Sequence, residues 1–139
     1  MSEDASLQYE RMHLDKILAG INVQERGTRL DITTANNSIK SLTAIKNGES
    51  LSSIVALGGP VMAKASIQTD STVLTAVGKG VIIEMDIETA INYLEKYLAE
   101  QNANLNKITS DQRTIINRME AIDEYFARAN MPKEPPPGN

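Results

Sequence analysis

Residues 87–126 read IETAINYLEKYLAEQNANLNKITSDQRTIINRMEAIDEYF, and this stretch decides the fold. Ile87, Ile91, Leu94, Leu98, Gln101, Leu105, Ile108, Gln112, Ile115, Met119, Ile122 and Phe126 follow one another at spacings of four and three, and ten of these twelve are apolar. A chain that is 41% hydrophobic would place only about five apolar residues there by chance, so the series is a heptad seam. No Gly or Pro interrupts it from Met85 to Met131, and Asp86 stands where a helix N-cap belongs. A long helix over about 86–130 follows.

Working back along the chain, Leu7, Arg11, Leu14, Leu18, Ile21, Glu25, Thr28, Ile32, Ala35, Ile39, Leu42 and Lys46 repeat the same period with eight apolar residues in twelve. This predicts a first helix over about 3–46. It is the weaker of the two, because Gly20 and Gly27 each cost about 1 kcal/mol relative to Ala in a helix interior. Glu25 and Thr28 also interrupt the stripe, so a soft spot is expected around residues 25–28. A helix this uneven needs a partner, and the second helix has the matching length. Folding the chain back sets Leu42 against Ile91, Ile39 against Leu94, Ala35 against Leu98, Leu18 against Ile115, Leu14 against Met119 and Leu7 against Phe126. One antiparallel register then serves every layer.

Between the helices, over about 51–85, glycine-punctuated β-branched runs predict two β-hairpins. Ser53–Leu57 pairs with Val61–Ile67 around Gly58-Gly59-Pro60, and Thr72–Val77 pairs with Val81–Met85 around Gly78-Lys79-Gly80. An isolated hairpin is marginal in water, and these are apolar on both faces. The helices have already spent their seams on each other, so other subunits must cover the strands. The candidate subunit-interface residues are Ile54, Leu57, Val73, Val77, Val81 and Ile83. The fold class is therefore α+β: a long antiparallel two-helix coiled coil joined by two β-hairpins that other subunits complete. Residues 1–130 form a single domain, and the Pro-rich residues 131–139 are expected to be a disordered tail.

Composition narrows the function classes. The 139 residues hold no Cys, no Trp and one His, with a formal charge of -4. Disulfide frameworks and thiolate zinc sites are excluded. Clustered cations for nucleic acid are not in evidence, and aromatics at 4% are sparse for base stacking. No stretch approaches the roughly 20 apolar residues of a membrane span. The chain opens with Glu3 and Asp4 and has no cation before Arg11, unlike a signal peptide, so a cytoplasmic location is expected. Catalytic constellations are wanting: His13 has no Cys or fixed acid beside it, and Glu84, Asp86 and Glu88 are acids favoured near a helix start. Gly78-Lys79-Gly80 is followed by a strand, not by the helix of a phosphate loop. Asn36-Asn37-Ser38 matches a glycosylation sequon without a secretory context. No enzyme activity, cofactor or metal is expected.

Val73-Leu-Thr-Ala-Val-Gly78-Lys-Gly80-Val-Ile-Ile-Glu84, followed by Ala90-Ile91 and Leu94-Glu95-Lys96, resembles the second hairpin and helix start of the archaeal-like prefoldin α-type subunits. The first hairpin departs from the family's Val-Pro-Leu-Gly pattern, with Val55-Ala56-Leu57-Gly58-Gly59-Pro60 and Met62 in place of an aromatic, while Leu57, Gly58, Lys64 and Ala65 match. The resemblance covers nearly the whole chain and rests chiefly on the order of elements. It implies an ATP-independent holdase in an α2β4 hexamer with prefoldin β-type subunits, in which the hairpins assemble into an intersubunit β-barrel. Such a hexamer captures unfolded polypeptides at the coil tips and delivers them to a group II chaperonin.

The folded-back register brings both chain ends to one tip, where Leu7, Tyr9, Met12, Ile122, Tyr125, Phe126 and Met131 are the candidate client-contact residues. Three of the chain's five aromatics fall among them, and flexible methionine suits a surface that accepts many sequences. Leu7, Ile122 and Phe126 occupy seam positions and also close the coil. Tyr9, Met12, Tyr125 and Met131 lie off the seam. The alternative function is a structural coiled-coil adaptor whose tips bind one defined folded partner.

Overall fold

Two long helices and two hairpins make up the computed structural model, which describes residues 2–49, 52–68 and 72–131. The element order is α1 (Glu3–Lys46), β1 (Ser52–Gly58), β2 (Val61–Ser66), β3 (Val73–Gly78), β4 (Val81–Met85) and α2 (Ile87–Ala129). Apart from Met131, the expected Pro-rich tail lies outside the described residues.

Both helices have defined ends. At the start of α1, Ser2 Oγ accepts the Ala5 amide at 3.2 Å, and Glu3 and Asp4 sit in the positive first turn. Its last turn closes through Gly48, whose φ of 76° is favoured by glycine. The Gly48 amide donates to the Ile45 carbonyl at 3.0 Å and the Glu49 amide to the Ala44 carbonyl at 2.8 Å, which is the Schellman pattern. At the start of α2, Asp86 Oδ1 accepts the Thr89 amide at 2.7 Å, so Asp86 caps this helix. Hydrogen bonds from Thr89 hold the Asp86 carboxyl below the usual carboxylate range.

The helices and hairpins divide into two units, residues 1–28 with 104–139 and residues 29–103. In the first, α1 and α2 are tied by polar links in and beside the seam. Arg11 donates twice to Asp123, at 2.9 and 3.2 Å, and Arg118 twice to Glu10, at 2.7 and 3.0 Å. These pairings fit the antiparallel register expected from Leu14 facing Met119. Met119 and Ile122 are buried, Ile122 to 1% exposure.

The expected soft spot takes a different form, because α1 runs unbroken through Gly20 and Gly27. The Gln112 side-chain amide donates to Asn22 Oδ1 at 2.9 Å and also to Glu25. The seam therefore carries a bonded polar layer where the sequence reads as interrupted, a device that fixes register in coiled coils. The two glycines remain a stability cost, since a Cβ at either meets nothing within 4 Å. Changing both to Ala should raise stability by about 1 kcal/mol each, read as a higher denaturation midpoint followed by circular dichroism. An unchanged or lower midpoint would show that this part of α1 does not unfold with the coil.

In the second unit, Ala35, Ile87 and Ala90 are buried. Lys46 Nζ stands 4.0 Å from Glu88 Oε2, joining the end of α1 to the start of α2. The hairpins form separate two-stranded antiparallel sheets, β1 with β2 and β3 with β4. Each is irregular at the same place: Ala56 pairs with Met62 and Gly58 with Val61, while Ala76 pairs with Ile82 and Gly78 with Val81. Leu57 and Val77 are thus the extra residues of two bulges. Lys79 and Gly80 both have positive φ, 52° and 76°, as a type I′ turn requires.

Candidate functional site

Two apolar surfaces stand out, one on the hairpins and one at the paired chain ends. Side chains opposite one another in a hairpin share a face. Ile54, Ala56, Met62 and Lys64 therefore project from one face of the first hairpin, and Leu74, Ala76, Ile82 and Glu84 from one face of the second. Ile54, Met62, Leu74 and Ile82 are 63–74% exposed, far more than large aliphatic side chains usually are. The opposite faces are better covered. Ser53, Ala63 and Ala65 are half-buried in the first hairpin, as are Val73, Thr75 and Met85 in the second.

The six interface candidates divide accordingly. Ile54, Leu57, Val81 and Ile83 are exposed, whereas Val73 and Val77 are half-buried along β3. Beneath β3, a groove of about 920 Å³ is bounded by Ser41 of α1 and by Tyr93 and Tyr97 of α2. Burial pushes the Tyr97 phenol up, helped by the charge of Asp31. Met62, Leu74 and Ile82 are more open than the candidates Val81 and Ile83, yet sequence reasoning left them out. With both faces apolar there is no alternation to say which points outward.

At the chain ends, the off-seam candidates Tyr9, Met12, Tyr125 and Met131 are all exposed, Met131 to 70%. The seam candidates behave as core: Leu7 and Phe126 are half-buried, and Ile122 offers no surface. The Tyr125 and Phe126 rings meet edge to face, with centroids 5.3 Å apart and planes at 81°. The Tyr125 hydroxyl donates to Asp4 Oδ1 at 2.9 Å, which raises the phenol pKa and holds one side of the ring in place. Below this end, the guanidinium of Arg118 holds the Glu10 carboxyl below its ordinary range, and that of Arg11 does the same to Asp123.

Among the described residues, no three His, Cys, Asp or Glu side chains converge to hold a metal ion. His13 is exposed on α1, and no described helix is long and apolar enough to cross a membrane. What the surfaces offer is apolar contact: on the hairpins through strand edges and aliphatic faces, and at the chain ends through exposed aromatic and thioether groups.

Comparison with known proteins agrees with this geometry. A family model described as prefoldin subunit matches residues 14–130. The prefoldin subunit alpha of Nitrosopumilus maritimus is 30% identical over 117 residues, covering 82% of this chain and 79% of that protein. The prefoldin subunit alpha of Archaeoglobus fulgidus is 27% identical over 109 residues, covering 76% of this chain and 79% of that one. Among solved structures, a chain of filamentous PFD from Methanocaldococcus jannaschii, seen by cryo-EM, is similar with a TM-score of 0.68. It is 16% identical, and the match covers 84% of this chain and 98% of that chain, a likeness of fold.

Proposed function

The chain belongs to the prefoldin family as an archaeal-like α-type, chaperone-type subunit of a multi-subunit complex, and from that premise we propose that it is an ATP-independent holdase. In this reading it joins β-type subunits in an α2β4 hexamer through the hairpins. The paired chain ends capture unfolded polypeptides, which then pass to a group II chaperonin. The cytoplasm is the compartment in which those partners would meet it.

The observation that carries the proposal is the split at the chain ends between closed seam and open periphery. Ile122 seals the coil while Tyr9, Met12, Tyr125 and Met131 stay exposed off the seam. Non-native chains expose apolar groups, and several weak contacts on separate arms of one assembly add by avidity, with no deep pocket needed. Methionine and tyrosine fit that task, the first by adapting its shape and the second by presenting an amphipathic ring.

The test changes Tyr9, Met12, Tyr125 and Met131 together to Ser. Assembly, read by native mass measurement with a β-type subunit, should survive, because all four lie off the seam. Protection of several unrelated denatured proteins from aggregation, without ATP, should largely disappear. Unchanged protection would remove these residues from the site. A wild-type assembly that protects none of them, yet binds one folded protein, would make the chain an adaptor instead.

A further inference from the structure

On the outer side of α2, within the first unit, Ala121, Glu124, Tyr125, Arg128 and Ala129 border a shallow groove of about 420 Å³. Their spacing carries the groove along the helix axis for about 12 Å, at roughly 1.5 Å per residue. Ala121 and Ala129 keep its two ends low. Between them stands Tyr125, held by its hydrogen bond to Asp4 and by the Phe126 ring, yet 41% exposed. An aromatic ring set in place beside small side chains is a preformed seat for an extended apolar segment that brings no amide donors.

The chain supplies such a segment within reach. The helix ends at Ala129, and the Met131 amide donates to the Arg128 carbonyl at 3.3 Å, so the chain turns as it leaves α2. Past Met131 the sequence continues Pro132-Lys-Glu-Pro-Pro-Pro-Gly-Asn139, outside the described residues. At the roughly 3.1 Å per residue of a polyproline II helix, Pro135 can stand about 12 Å from Met131, and three consecutive prolines span about 9 Å, close to the length of the groove. Proline fixes φ at about −65° before any contact forms, so such a run loses little conformational entropy on docking, and it leaves no amide unsatisfied. Lys133-Glu134, just before it, carries both signs of charge toward a groove walled by both. Glu124 and Arg128 stand 3.5 Å apart and are mostly exposed, free to exchange partners.

We propose that Pro135–Pro137 of this chain dock in the groove beside Tyr125, as a strap that an incoming polypeptide has to displace. The prolines cover the open side of the Tyr125 ring and rest on Ala121, while Glu134 arrives level with Arg128. The strap's consequence rests on the holdase reading and deepens it, by giving one client-contact residue a competitor within the same chain. The docking itself needs no client.

In a chain with no Cys, paired cysteines read the docking directly. The full-length Ala121→Cys/Gly138→Cys variant is equilibrated in a glutathione redox buffer beside a control, Glu120→Cys/Gly138→Cys, whose helix position lies at nearly the same height but about 100° around α2. A tether with no preferred seat gives both pairs a similar effective concentration, whereas docking should favour the Ala121 pair by roughly tenfold or more. Pro135→Gly/Pro136→Gly/Pro137→Gly in both backgrounds should abolish the preference. Equal effective concentrations for the two pairs, or a preference that survives the glycine changes, overturns the proposal. So does a disulfide formed between chains in place of one within the chain, which would make the occupant a second copy. In aggregation assays, the oxidised Ala121→Cys/Gly138→Cys variant should protect denatured proteins about threefold less than its reduced form. Equal protection by the two forms overturns the strap as a competitor. A wild-type chain that protects no denatured protein, while the Ala121 pair keeps its preference, removes the holdase and leaves the docking standing.

Discussion

Placing aspartate at Met62 and Ile82 together should leave the two helices of the chain intact and abolish its assembly with other subunits. Met62 and Ile82 are 66% and 63% exposed, and each faces an alanine across its hairpin, Ala56 and Ala76. In the free chain the new carboxylates meet solvent, and exposed substitutions of this kind usually change stability by no more than about 0.5 kcal/mol. Inside an assembly that covers the hairpins the same groups are trapped. Each then loses about 2 kcal/mol of apolar burial and adds a desolvation cost of several kcal/mol for an unpaired charge. Two such sites weaken assembly by well over a thousandfold. Circular dichroism should report unchanged helix while native mass measurement with a β-type subunit reports only free chains. Replacing both by Thr, which keeps strand propensity and introduces no charge, should give an intermediate loss. A complex of wild-type mass from the aspartate variant would place the subunit contacts elsewhere.

That experiment aims at the part of the molecule the amino-acid sequence describes least well. Heptad spacing read both helices to within a residue or two, because a seam of twelve positions is an over-determined signal. All twelve α2 seam residues, from Ile87 to Phe126, are buried or half-buried. Turn chemistry was equally legible at Gly58-Gly59-Pro60 and Gly78-Lys79-Gly80, because few residues other than glycine accept the positive φ found at Gly58, Gly59, Gly78 and Gly80. The outward direction of the strands was not legible. Period-two alternation is informative when one face is polar, and here both are apolar. Pattern alone therefore places Val73 and Val77, and not Leu74 and Ile82, at the subunit interface, although only the latter pair is strongly exposed. The bulges at Leu57 and Val77 depend on pairing across the hairpin, which no local pattern encodes.

The chain ends show the opposite balance. Position relative to the seam separated Tyr9, Met12, Tyr125 and Met131 from Leu7, Ile122 and Phe126, and exposure follows that division. What escaped the sequence was the bonding of polar residues around the seam. Glu25 reads as an interruption of the α1 stripe and Gln112 as a polar position of the α2 seam, with no pattern to join them because they lie on different helices. They lie close enough to bond once the helices are antiparallel. Arg11, another polar seam position of α1, is held between Asp15 and Asp123.

Ile122→Ala should destabilise the coil of the first unit by about 2–4 kcal/mol, the usual cost of truncating a buried aliphatic side chain. Ile122 is 1% exposed, so it makes no client contact in the folded coil. Its loss should nonetheless reduce protection of denatured proteins, by loosening the pair of helices that displays Tyr9 and Tyr125. The exposed Arg11–Asp123 and Glu10–Arg118 pairs compensate little, since ion pairs in water contribute roughly 0–1 kcal/mol. A covalent staple separates this indirect effect from direct contact. Cysteines at Leu14 and Met119, facing seam positions in a chain with no other cysteine, should crosslink within one molecule on oxidation. The staple should restore both the melting behaviour and the protection lost in Ile122→Ala, because it replaces the missing cohesion between the helices. It should restore neither when Tyr9, Met12, Tyr125 and Met131 are Ser, where the helices are already paired and the adhesive groups are gone. Restoration of the serine variant by the staple would reverse the assignment, making helix cohesion the determinant of protection and leaving the exposed side chains without a role in it.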